Sequence, residues 1–173
     1  EVSSIWRLLD EFFNRRVDYC KEKGVRIKVS GDTSALPVIS RKILERSEAA
    51  TASGDRLIAN FCINYGSRAE ILHAATRVLQ ERLKIQDPRD AAAPVEEEEL
   101  EKYLYTHPLP PVDLLIRPGG ESRISNFLLW QSAYAEFYRT DVLWPDFSAE
   151  ELVKAIAWYQ GRNRRFGGLG EES

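Results

Sequence analysis

The chain has no methionine, two cysteines and two histidines among its 173 residues, and the last two scarcities each remove a class of function. Cys20 and Cys62 are too few for a disulfide framework and fit a reducing, cytoplasmic compartment. His73 and His107 have no Cys, His or carboxylate arrangement at zinc-ligand spacing, so structural roles are expected for both. No apolar run reaches the roughly 18 residues that a membrane span needs. The net charge is −3, which disfavours a globally basic nucleic-acid binder. Neither G-x-x-x-x-G-K-[ST] nor G-x-G-x-x-G occurs. Ser, His and Asp form no visible triad.

What is present is ordinary globular composition, 43% apolar and 29% charged. The length suits one domain over residues 1–173 with a real core, and the order of elements that follows makes it α/β. Val2, Ile5, Leu9, Phe12, Phe13, Val17 and Cys20 recur at helical spacing, and Gly24 stands where a helix would be capped. Val25, Ile27 and Val29 alternate with polar residues as in a strand. A helix is expected over about 38–52 and a buried strand over 57–63. The stripe of Ile71, Leu72, Ala75, Val78, Leu79 and Leu83 predicts an amphipathic helix. Residues 84–99 carry Asp87-Pro88-Arg89-Asp90, three alanines, Pro94 and four glutamates, and read as an exposed acidic connector. A short helix is expected near Glu97–Tyr105. Further strands are expected at Val112–Ile116 and Phe137–Leu143, with an apolar helix between them over Asn126–Tyr134. Ser148 and Glu151 form a capping-box pattern for a final helix.

Strands alternating with helices imply βαβ units and a mostly parallel open sheet flanked by helices. The chain opens at Glu1 directly on a helical pattern and offers about four strands. We read that start as a cut or processed end, with the first strands of the sheet missing.

Ligands of open α/β sheets bind beyond the carboxyl ends of the strands. The segment after Val112–Ile116 is therefore the first candidate site. Arg117 leaves the strand, Gly119-Gly120 permits close backbone approach, Arg123 follows, and Ser125 precedes the expected helix. Two arginines, a hydroxyl and a helix start suit a phosphate or diphosphate. Equally open is a structural reading, in which the arginines pair with Glu121 and Asp113 and Ser125 is only a cap. Glu136 beside such a clamp is a candidate Mg²⁺ ligand, or an acid paired with a nearby arginine. Arg162, Arg164 and Arg165 end the last helix. They either answer its dipole or form a second basic arm for the same anion. The aromatics Trp6, Phe12, Phe13, Trp130, Tyr134, Trp144 and Trp158 suit a core or a cavity for a long hydrocarbon.

The run from Asp113 to Gln131, with Ile116-Arg117-Pro118-Gly119-Gly120-Glu121-Ser122-Arg123-Ile124-Ser125-Asn126-Phe127 at its centre, resembles the signature of cis-prenyltransferases of the undecaprenyl diphosphate synthase type. So do Tyr134-Ala135-Glu136, Thr140 to Phe147, and Arg164-Arg165-Phe166-Gly167-Gly168. Gly31-Asp32-Thr33, Asn64-Tyr65-Gly66-Ser67-Arg68 and the opening Glu1-Val2-Ser3 also match. The resemblance covers essentially the whole chain.

It implies a transferase that extends an allylic diphosphate, such as farnesyl diphosphate, with isopentenyl diphosphate units in cis geometry, using Mg²⁺. The product would be a long polyprenyl diphosphate, a lipid carrier for cell-wall synthesis. By resemblance Arg117, Arg123 and Ser125 hold the diphosphate of isopentenyl diphosphate, and Glu136 serves Mg²⁺. Arg165 and Gly167 belong to an arginine–any–glycine motif that reaches into the partner subunit of a homodimer. Membrane contact is expected only peripherally, through the lipid product, and nucleic acid is not a partner. Two departures stand out. The Asp-Gly-Asn-Gly-Arg phosphate loop with the family's catalytic aspartate does not occur in this chain, so residues 1–173 alone are expected to be inactive. Position 122 is Ser, where some members have His. The competing expectations are a non-catalytic partner subunit and a simple diphosphate-binding module.

Overall fold

The computed structural model describes residues 2–162, in two compact units divided between Thr106 and His107. In the first unit, helix α1 (Val2–Glu22) leads into strand β1 (Val25–Ser30), helix α2 (Val38–Thr51), strand β2 (Leu57–Cys62) and helix α3 (Ser67–Arg82). Gly24 ends α1 with φ +70°, the left-handed conformation that releases the chain into the strand. β1 and β2 pair in parallel, from Val25 opposite Leu57 to Ser30 opposite Cys62. A parallel pair needs a crossover, and α2 supplies it.

The core of this unit is Phe13, Ile27, Leu36, Leu44 and Ile63, with Trp6, Leu9, Cys20 and Phe61 packed against it. The rings of Phe13 and Phe61 meet edge to face with centroids 5.0 Å apart. The edge of β1 away from β2 is covered by side chains of α2. Thr51 Oγ1 accepts from Ile27 N at 2.9 Å, and Glu48 Oε1 accepts from Val29 N at 2.9 Å. Thr51 then donates to Ser47 O at 2.8 Å. One buried hydroxyl thus serves both the helix and the strand.

Helix α3 departs from its expected stripe. It buries Ser67, Glu70, Ala74 and Val78 and leaves Leu72, Leu79 and Leu83 exposed. The polar members can face inward because Glu70 accepts from the Tyr65 hydroxyl and from Thr106 N at 3.3 Å. Residues 84–99 are mostly exposed and hold helix α4 (Pro88–Ala91) and the start of helix α5 (Glu97–Glu101). Arg82 gathers this segment. Its guanidinium donates to Glu99 Oε1 at 2.9 Å, to Pro94 O at 2.8 Å and to Ala93 O. The short helix expected to reach Tyr105 ends at Glu101 and gives way to turns.

The second unit contains strands β3 (Leu114–Arg117) and β4 (Glu136–Arg139) and helix α6 (Ala149–Gln160). The strands are parallel, with Leu114 opposite Glu136 and Arg117 opposite Arg139. The architecture is therefore α/β with parallel strands flanked by helices, as expected. The crossover is not the expected helix over 126–134. Ser125, Asn126 and Leu128 take φ of +51°, +62° and +50°, which a right-handed helix cannot contain. The segment runs instead as linked turns, with bonds such as Ser132 N to Leu128 O at 2.9 Å. β4 stops at Arg139, short of the expected Leu143, where Thr140 N turns back to Arg117 O at 3.1 Å. Ser148 caps α6 through Glu151 N. No described helix is long and apolar enough to cross a membrane.

Replacing Thr51 with Val keeps the shape but strands the buried Ile27 N–H. The expected loss is about 1–3 kcal/mol of stability, read as a lower urea midpoint. An unchanged midpoint would show that this hydroxyl does not hold β1.

Candidate functional site

The carboxyl ends of two parallel strands are the places where a ligand could enter, and they differ in what they leave available. After β1 and β2, the loops 31–35 and 63–67 bond to each other. Asn64 Nδ2 donates to Asp32 O at 2.8 Å, and Asp32 N donates to Asn64 O at 3.3 Å. Gly31 sits at φ +132°, where a Cβ would lie 2.0 Å from Ile63 O, so only glycine lets the loops approach this closely. The Asp32 carboxylate accepts from Ser34 Oγ at 2.5 Å and from Ser34 N at 3.0 Å. These bonds hold its pKa below the usual carboxylate value. Tyr65, Ser67 and Glu70 form a hydroxyl–carboxylate network. Burial, with the Glu70 contact, pushes the Tyr65 phenol up. Burial and the Glu70 charge raise the Cys62 thiol to about 11, so Cys62 is no ready nucleophile. The polar groups at this end largely satisfy one another.

The carboxyl end of β3 is different. Arg117 is its last residue, half-buried, and makes no ion pair or side-chain hydrogen bond among the described residues. Its alternative pairing with Asp113 is not formed. Arg117 lines a cavity of about 370 Å³ with Leu115, Ile116, Pro118, Ile124, Phe127 and Trp144. A guanidinium in a mostly apolar wall lacks an anion that it is well suited to bind. A second cavity of about 300 Å³ shares Leu115 and Ile124 and adds Ser122, Ser132, Ala135 and Phe137.

The glycine pair is used by the fold. Gly119 N donates to Val142 O at 2.8 Å and Gly120 N to Thr140 O at 2.9 Å. Gly120, at φ +75°, lets the chain pass Asp141, whose carboxylate would lie 3.1 Å from an added Cβ. The close backbone approach is therefore to the segment after β4. Arg123 is 69% exposed and pairs with Glu121 at 2.9 Å, the structural alternative for this residue. Ser125 is exposed in a left-handed turn and caps no helix. Neither residue lines the Arg117 cavity, although Ile124 between them does.

Glu136 opens β4 with its side chain 20% exposed, and its Oε2 accepts from Arg162 Nε at 3.1 Å. Register sets it opposite Leu114, three residues before Arg117, a separation of about 10 Å along the sheet. No group of three or more His, Cys, Asp or Glu able to hold a metal occurs among the described residues. A lone half-buried carboxylate still fits Mg²⁺, which binds through one or two carboxylates and completes its shell with water and substrate phosphates. Arg165 and Gly167 lie outside the described residues.

Sequence reasoning missed Arg139, which the register sets beside Arg117 and which pairs with Asp141 at 2.7 Å. Its place at the end of the next strand was the available signal. It also missed the role of Ile124 and Phe127 in walling one cavity, which nothing in their spacing reveals, whereas Trp144, one of the aromatics expected in a core or a cavity, does line it.

A family model described as "Putative undecaprenyl diphosphate synthase" matches residues 1–167. Isoprenyl transferase of Leptospira interrogans is 48% identical over 98% of this chain and 69% of its own length. That of Heliobacterium mobile is 45% identical over 98% and 64%. The crystal structure of a probable undecaprenyl diphosphate synthase from Campylobacter jejuni superposes with a TM-score of 0.84 at 34% identity, covering 97% of this chain and 75% of the other. Lavandulyl diphosphate synthase from Lavandula x intermedia, solved in complex with dimethylallyl diphosphate, gives 0.88 at 32% identity, covering 97% and 72%. The chain thus spans about two thirds of the length of the curated relatives it matches.

Proposed function

Because the chain belongs to the undecaprenyl diphosphate synthase family of prenyltransferases, we propose that its β3–β4 unit binds the diphosphate of isopentenyl diphosphate for cis-prenyl transfer. The observation that carries this reading is the Arg117 guanidinium, without an anionic partner among the described residues, in the wall of a mostly apolar cavity at a strand's carboxyl end. Arg117 anchors the phosphoryl oxygens in a fork geometry. The apolar wall of Ile124, Phe127 and Trp144 takes the adjoining hydrocarbon. Arg123, now on Glu121, and Ser125 turn to the diphosphate when it arrives. Arg165 and Gly167 complete the neighbouring subunit's site in a homodimer. The exposed Phe127, Leu129 and Tyr134 support such an interface.

In the proposed reaction the allylic C–O bond breaks and its diphosphate leaves. A carbon–carbon bond forms to the terminal alkene carbon of isopentenyl diphosphate, which then loses a proton. Negative charge grows on the departing diphosphate, so cationic donors speed the step. Mg²⁺ held by Glu136 and by substrate phosphates would supply further neutralisation of that charge. The allylic partner is a farnesyl-type diphosphate. A solved neighbour's complex with dimethylallyl diphosphate supports this substrate class. The product is a polyprenyl diphosphate carrier lipid made in the cytoplasm.

Arg117→Ala is expected to weaken isopentenyl diphosphate binding about tenfold or more in calorimetric titration, since a charge-assisted bond contributes about 1.5–3 kcal/mol. Equal affinity in the variant would remove this residue from the site. Residues 1–173 do not include the family's aspartate-bearing phosphate loop. Losing the positioning of one substrate can cost about 7–11 kcal/mol of barrier lowering. No incorporation of radiolabelled isopentenyl diphosphate into lipid is therefore expected from this chain with Mg²⁺ and both substrates. Measurable lipid product would overturn the view that this loop is required.

A further inference from the structure

Glu136 is not idle in this structure. Its Oε2 is held by Arg162 Nε at 3.1 Å, and the Arg162 guanidinium also lies over the Trp158 ring, 5.2 Å from its centroid. Arg162 is the first basic residue after α6, and Arg164 and Arg165 follow within three positions. We infer that Arg162 and a divalent cation compete for the Glu136 carboxylate, so that cation binding frees Arg162 at the root of the basic C-terminal segment. The inference rests on the reading of Glu136 as the metal carboxylate.

One carboxylate carries one negative charge, and among the described residues no cluster of acids shares the load. A guanidinium hydrogen-bonded to that charge neutralises it and repels an incoming dication over the same few ångströms. The pair is only partly exposed, 50% at Arg162 and 20% at Glu136, so solvent screens the repulsion incompletely. The Trp158 ring already lies against the guanidinium, a contact that does not depend on the carboxylate and that Arg162 can keep after release. The opposite role is equally concrete. If Arg162 served to orient Glu136 for the metal, removing it would weaken cation binding.

The experiment is a Mn²⁺ titration of the whole chain, followed by line broadening of the Glu136 and Phe137 backbone amides, which makes the readout specific to this carboxylate. Arg162→Gln is expected to bind Mn²⁺ about two- to fivefold more tightly than the parent, and Arg162→Lys, which keeps the charge, to stay near the parent. In a parallel Mg²⁺ titration the Arg162 Nε–H resonance should leave its ion-paired position with the same midpoint as metal binding. Unchanged or weaker Mn²⁺ binding in Arg162→Gln overturns the competition while leaving Glu136 as the ligand. Glu136→Gln separates the two ideas. If it leaves the broadening and midpoint intact, Glu136 is not the metal carboxylate and the competition falls with it.

Discussion

A guanidinium in an apolar wall is unstable company for itself. It either finds an anion or stays in contact with water at the expense of packing around it. Arg117 is held in that position by β3, whose pairing with β4 leaves its side chain at the carboxyl end of the sheet, beside a cavity otherwise lined by carbon. The acids of the segments that follow are paired with other arginines. Glu121 is taken by Arg123, Asp141 by Arg139 and Glu136 by Arg162. Each of these three carboxylates has its own cation, and among the described residues Arg117 has no ion pair. Anion binding at this strand end depends on that arrangement of charges.

The contrast with the β1–β2 end sharpens the point. There the strand-end loops are stitched together through Asp32 and Asn64, and the acids are occupied by Ser34 and Tyr65. Such a network rigidifies its loops and leaves little for a ligand to satisfy. Two ends of the same type, built from the same βα logic, thus fall on opposite sides of a simple accounting of donors and acceptors. The resemblance to prenyltransferases covers both, but among the described residues the strand-end arginine without an ion pair, Arg117, is at the second.

The pattern of residues was enough to place most elements. Val25–Val29 alternates and forms β1. The run expected as a buried strand over 57–63 forms β2 over Leu57–Cys62 but leaves Leu57 and Ile58 exposed, and Ser148 caps α6 as its spacing suggested. The misses share a cause. At 126–134 the residues are apolar and well spaced for a helix, yet positive φ at Ser125, Asn126 and Leu128 breaks it, and periodicity carries no information about backbone sign. On α3 the inward face includes Ser67 and Glu70 because Tyr65 and Thr106 satisfy them, a long-range pairing that a stripe of leucines cannot disclose. Arg117 was legible as a strand-end residue, although it is the last residue of β3 and not the first beyond it. Its lack of a partner was not, because charge pairing depends on which side chains the turns bring near. The same holds for Glu136, whose neighbour Arg162 is 26 positions away.

The central claim is that the diphosphate site of this chain lies at the carboxyl end of β3, and the most direct test is where a diphosphate lands. Inorganic pyrophosphate added to the isotopically labelled chain should shift the amide and Arg Nε–H resonances of residues 117–125 and 139. The resonances of residues 31–35 and 64–68 should stay in place. Shifts confined to the loops after β1 and β2, with Arg117 unmoved, would contradict the account.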